Sequence, residues 1–215
     1  MNPSESLSKE LRRRRYSEQT ISTYVGCLAR FLNSSFCKNK SLRKITKRDI
    51  RLYLERMSEK DLSGNTMNVN LMALKFYFEQ IQGRKMWVDI KYSKVPERIQ
   101  RVLSEEEIRK LLEQITNWKH RLMIELMYSS GMRVSEVVNI KIKDIELDKN
   151  YGFVRNGKGG KDRLLVLSKI VREKIKNLIE MEKLDREGYL FISDRKKKYN
   201  IRSLQVIVKK AAKKS

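Results

Sequence analysis

Two short stretches of this chain carry residue types that could do chemistry together. The first, GMRVSEVVNIKIKDIE at residues 131–146, sets Arg133 where a helix restarts after a glycine, with Glu136 one turn further on. The second, residues 156–162, joins two β-type runs, Tyr151–Arg155 and Arg163–Leu167, and puts Lys158 between glycines at a hairpin tip. An arginine presents a planar fork of donors to two oxygens of a phosphate, and a lysine offers a movable ammonium. A carboxylate one helical turn from the arginine can orient its guanidinium. These are the parts of a site that holds a phosphate from two sides. Taken singly each is ordinary: Arg133 a helix-end cation, Glu136 its partner, and GKGGK a basic hairpin that does not fit a nucleotide-binding phosphate loop.

Several elements must position these residues. A helix is expected to open at Ser104, where Ser104 and Glu107 form a capping box, and an apolar helix from Leu122 breaks at Gly131. After the hairpin, Ser168–Lys183 reads as an amphipathic helix with Ile170, Val171, Ile175, Leu178 and Ile179 inside, followed by a short apolar return at Gly188–Ile192 and a final helix at Ile201–Ala212. Upstream, Ser4–Leu32 reads as a helix pair, with Ser17 and Thr20 preceding an apolar set that includes Tyr24. Ile45–Met57 follows, with Thr46 as cap and Asp49 in its first turn. Next, Thr66 is expected to cap a longer helix whose Leu71, Leu74, Phe78 and Ile81 face inward, leaving Asn68, Asn70 and Lys75 outside. Residues 83–101 lose periodicity around Pro96, as a linker does. The boundaries read as a helical domain at 1–90, a linker at 91–101 and a second domain at 102–215.

The order and separation of GMRVSEVVNIKIKDIE and GKGGKDRLLVL resemble the catalytic domain of the tyrosine recombinases, the phage integrase family, and within it the Xer type. YSEQTISTYVGCLARFL resembles the opening of that family's core-binding domain, and TMNVNLMALKFYFEQI its major-groove helix, although Val69 stands where many relatives carry Arg. The resemblance implies a mainly α fold with a small β-hairpin or sheet: an N-terminal SAM-like helical core-binding domain plus a partial α+β catalytic domain. It makes Arg133 and Lys158 catalytic and Glu136 their supporting acid. It also implies strand cleavage through a 3′-phosphotyrosyl intermediate without cofactor, on duplex DNA with inverted half-sites, in a homotetramer when full length. The tasks it implies are integration or chromosome dimer resolution. The sequence stops before the family's His-x-x-Arg box and nucleophilic Tyr, so this chain alone is expected to be monomeric and to bind DNA without cleaving it. The competing expectation is a non-catalytic DNA-binding protein or a truncated competitor.

Composition narrows the alternatives. A formal net charge of +23 on 215 residues predicts a polyanionic partner. Arg14, Arg15, Asn68, Asn70, Lys75, Lys161 and Arg163 are candidate DNA contacts. No apolar run reaches the roughly 18 residues a membrane span needs, and the residues after Arg12–Arg15 are polar rather than an apolar signal core, so a cytoplasmic location is expected. Cys27 and Cys37 lack metal spacing and read as reduced structural thiols, and His120 as a helix-surface or core residue. Trp87 and Trp118 are expected in the core or between the lobes.

Overall fold

The computed structural model describes residues 2–84, 90–97, 102–155, 157 and 160–215. The chain divides into two compact units, Met1–Ile99 and Gln100–Ser215.

The first unit is helical because its helix starts carry caps and its apolar residues recur on one face. Helices α1 (Pro3–Arg13) and α2 (Glu18–Leu32) begin at Asn2 and Ser17, whose side-chain oxygens accept from the Ser4 and Thr20 N–H groups. Helix α3 (Lys47–Glu59) opens with a full capping box between Thr46 and Asp49. Helix α4 (Gly64–Lys75) is capped by Ser63, not by Thr66 as expected: the Ser63 hydroxyl accepts from the Thr66 N–H, so Thr66 already lies in the first turn. Helix α4 runs on as a π-helical segment, Phe76–Ile81, a widening that the sequence pattern did not signal. Leu7, Leu11, Leu28, Phe31, Ile45, Ile50, Leu74 and Phe78 are fully buried in one core, with Tyr24 packed at its edge.

Two expectations about α4 are corrected. Asn68 and Asn70 do not project outward. Asn70 is buried and its amide donates to the Thr66 carbonyl, while Asn68 donates to the Ser93 carbonyl at 3.0 Å and accepts from the Ser93 N–H at 2.7 Å. Ser93 belongs to the stretch read as linker, and Ser93 and Lys94 lie against the start of α4. Gly64 permits the close passage, since a Cβ there would stand 2.7 Å from the Lys94 carbonyl oxygen. Trp87 lies outside the described residues.

In the second unit, Ser104 caps α5 (Glu105–Glu113) through the expected box with Glu107. Helix α6 (Trp118–Ser130) ends at Gly131, whose φ of +60° is the left-handed turn-off that glycine adopts without a Cβ clash. A single-turn helix, α7 (Val134–Val137), follows. An antiparallel sheet of order β1-β2-β3 contains β1 (Ile145–Glu146), β2 (Tyr151–Val154) and β3 (Arg163–Val166), with Val154 opposite Arg163. Strand β1 was not expected. Helices α8 (Lys169–Glu182) and α9 (Ile201–Ala212) complete the unit.

The core of this unit gathers Leu122, Met123, Leu126, Val137, Leu165, Ile175, Leu190 and Leu204. Ile170 is 69% exposed, contrary to expectation, because Val171, Ile175 and Leu178 define the inward face and Ile170 lies about 100° around the helix from Val171. Trp118, expected in a core or between the lobes, is 42% exposed at the head of α6. His120 is half-buried against Tyr199, with its Nε2 3.1 Å from the Tyr199 hydroxyl, and burial lowers its pKa.

Candidate active site

The site is assembled where α6 stops. The Gly131 turn reverses the chain, and Arg133 takes the cap position of α7, so that Glu136 falls in the first helical turn. The Glu136 carboxylate is 5% exposed and gathers three donors. The Arg133 N–H reaches Oε2 at 2.9 Å, Arg133 Nη1 reaches Oε1 at 2.8 Å and Arg163 Nη2 reaches Oε2 at 2.7 Å. Arg163 Nη2 also donates to the Gly131 carbonyl at 3.0 Å, which ties the strand to the turn itself. Ser130 adds a second tie by donating to the Val166 carbonyl.

Burial alone would raise the Glu136 carboxyl, but the Arg133 N–H and the guanidinium groups of Arg163 and Arg133 outweigh it and hold its pKa below the ordinary value. The carboxylate is therefore ionised at neutral pH. Two guanidiniums share this one carboxylate, which leaves the trio with one formal positive charge in excess. Arg133 carries that excess outward: its side chain is 55% exposed, and beyond the bond to Glu136 its guanidinium makes no other hydrogen bond among the described residues. A fork held on one edge and open on the other is suited to two oxygens of a phosphate.

The hairpin returns to the same place. The Gly157 N–H donates to the Lys161 carbonyl at 3.0 Å, and the Gly160 N–H donates to the Gly157 carbonyl at 2.9 Å. A Cβ on Gly157 would lie 2.8 Å from the Lys161 carbonyl oxygen and 3.5 Å from Glu136 Oε1, so the base of the turn passes directly beside the buried carboxylate. Lys158 lies outside the described residues. Lys161 is exposed. Arg155 is occupied by Asp162 and Asp144, at 3.1 and 3.5 Å, and lies over the Phe153 ring.

Arg163 therefore has a part in the site that its reading as a DNA contact did not include. Its signal was present in the alternation of the hairpin, but the register Val154↔Arg163 and the Gly131 turn are both needed to bring it to Glu136. Of the other candidates, Arg14 is held by Glu10 at 2.7 Å and by Gln80 at 3.0 Å and lies over Phe76. Arg15 is exposed at φ +57°, and Lys75 is half-buried on α4.

Residues 101–215 match the phage integrase family, and residues 4–87 match the phage integrase N-terminal SAM-like domain.

The chain belongs to the phage integrase family.

Among relatives it is similar to the tyrosine recombinase XerA of Pyrococcus horikoshii, at 32% identity over 92% of this chain and 68% of that protein. It is also similar to the XerA of Pyrococcus furiosus, at 34% identity over 84% of this chain and 61% of the relative. It spans 52% of the XerA of Thermococcus kodakarensis. Two solved structures share the fold of this integrase-family chain. A lambda integrase tetramer bound to a Holliday junction superposes with a TM-score of 0.77 at 18% identity, over 97% of this chain and 61% of that one. The Tn1549 transposon integrase in complex with transposon right end DNA gives 0.74 at 20% identity, over 100% and 80%. Both units of this family member are thus accounted for: a SAM-like helical domain and the integrase catalytic fold.

Proposed function

We propose that these residues are the DNA-gripping and phosphate-preparing part of a Xer-type site-specific recombinase acting on duplex sites with inverted half-sites. The observation that carries this reading is the buried Glu136 carboxylate, which fixes Arg133 with the free edge of its guanidinium turned outward. In the reaction of the family a tyrosine oxygen attacks a phosphodiester, a 3′-phosphotyrosyl bond forms and the 5′-hydroxyl leaves. Negative charge grows on the non-bridging oxygens, and Arg133 would neutralise it there, in a fork geometry that a lysine cannot copy. Lys158 would give its proton to the departing oxygen. Glu136 would hold the Arg133 guanidinium in place throughout, with Arg163 holding Glu136.

These 215 residues alone are expected to bind duplex DNA as a monomer and to form no covalent adduct. The test begins with selection of bound sequences from a random duplex pool at about 150–200 mM salt, where the purely electrostatic contribution is suppressed. A recovered half-site, present as an inverted repeat in the best binders, is the expected result. Incubation with a nicked duplex of that sequence should then give no SDS-resistant adduct, and Arg133→Ala should bind the same sequence. Recovery of no sequence, with affinity that collapses as salt rises, would replace the recombinase reading with that of a non-specific DNA-binding protein.

A further inference from the structure

Gly64 and Asn68 stand four residues apart on α4 and so lie on one face of the helix, one turn from each other. The same piece of chain, residues 93–95, crosses both. The Asn68 amide answers both backbone groups of Ser93, donating to its carbonyl at 3.0 Å and accepting from its N–H at 2.7 Å. A neighbouring strand makes such a pair of bonds with its backbone; here one side chain supplies it. A primary amide carries donor and acceptor side by side, which a carboxylate does not. One turn earlier the chain passes so close that a Cβ on Gly64 would stand 2.7 Å from the Lys94 carbonyl oxygen, 3.3 Å from Val95 Cγ2 and 3.4 Å from the Ser93 Cβ.

The attachment begins further back, at Ile90, which packs against the core of the first unit. Beyond the Gly64 contact Pro96 follows at once and restricts Val95 to extended backbone. Helix α4 does not need these contacts. Ser63 already caps it, and Leu71 and Leu74 already bury its inner face. The crossing segment buries little of its own apolar surface in return, since Tyr92 and Val95 remain exposed. What the contacts change is the length of chain left between the two units. At about 3.6 Å per extended residue the chain from Gly83 to Ser104 could reach at most about 75 Å, whereas from Val95 to Ser104 it reaches at most about 32 Å.

We infer that Gly64 and Asn68 form a lock that sets this tether, fixing the outgoing chain to α4 so that the tether begins at Pro96 and not at Gly83. The functional part rests on the reading of the chain as a recombinase whose two units hold one duplex. Once one unit is on the DNA, the other is delivered at an effective concentration that falls as about the −3/2 power of tether length, so opening the lock lowers it by about 3.5-fold.

The test uses the full 215-residue chain and two variants that attack the lock from opposite sides. Asn68→Ala removes both hydrogen bonds. Gly64→Ala leaves Asn68 in place and raises the helix propensity of α4, but takes away the room that the Lys94 carbonyl occupies. In both variants the Ser93 amide should exchange with solvent at least about 10-fold faster, with helical content unchanged. Affinity for a mixed-sequence duplex of about 30 base pairs should fall by about 3.5-fold in both, and the slope of log affinity against log salt should stay the same because no phosphate contact has gone. Unchanged exchange at Ser93 overturns the lock. Faster exchange with unchanged affinity overturns its part in setting the tether, and a loss of affinity confined to Asn68→Ala makes Asn68 a DNA contact instead. If the unsubstituted chain does not bind duplex DNA, the recombinase reading falls, and exchange at Ser93 still decides whether the lock exists.

Discussion

Glu136→Gln keeps the shape of the side chain and removes the charge that two arginines share. Only the carboxylate is buried and both arginines are partly exposed, so after solvent screening the loss of unfolding free energy is expected to be about 1–2 kcal/mol, read from the urea midpoint, and a loss below about 0.5 kcal/mol would contradict the role given to this carboxylate. The sign of the pH dependence follows from the same contacts. The folded-state pKa of Glu136 lies below the ordinary value of 4.5, so its stabilisation is complete above pH 4.5 and is lost as pH falls through the depressed value. Glu136→Gln should therefore flatten the acid limb of stability against pH. Arg163→Ala should weaken the same limb, because its guanidinium is one of the groups that keep the carboxylate ionised, and Arg163→Lys should restore part of it through charge alone. Of this site Arg133 and Glu136 were legible in the sequence, since one helical turn separates them. Arg163 was not legible as their partner, because its place depends on a strand register and on a glycine turn 32 residues earlier.

Helix starts were the most legible elements, because a cap is a local event: Ser17, Thr46, Ser104 and Ser168 all accept from the N–H expected of a capped first turn. The start of α4 was misplaced by three residues because Ser63 and Thr66 both carry capping hydroxyls, which lie 2.9 Å apart, and only the backbone decides between them. The larger error was one of helix face. With Leu71 and Leu74 inward, Asn70 was assigned outward, yet it is 2% exposed and its Oδ1 has no hydrogen-bond partner among the described residues. A buried amide oxygen without a donor costs more than an apolar group of the same shape. Asn70→Leu is therefore expected to leave stability unchanged or raise it by up to about 1 kcal/mol, with DNA affinity unaltered. A loss of affinity at constant stability would return Asn70 to the DNA surface.

At the scale of the whole molecule charge dominates. With a net charge of +23, copies of this chain repel one another, so sedimentation should give a monomer of 25.6 kDa without DNA at moderate salt. A dimer under those conditions would require an apolar interface strong enough to overcome that repulsion. Composition announced the charge but not where it gathers, since sign and total do not report which arginines are already answered by neighbouring acids. The two units also differ in one practical respect. Cys27 and Cys37 are the only cysteines, both are free, both belong to the first unit and both are at most 3% exposed, with thiol pKa values raised by burial. A thiol reagent added in a short pulse should find neither sulfur until the first unit opens. The chain thus carries its own two-point chemical clock for the opening of one unit, against which the effect of bound DNA on that unit alone can be timed without attaching any label.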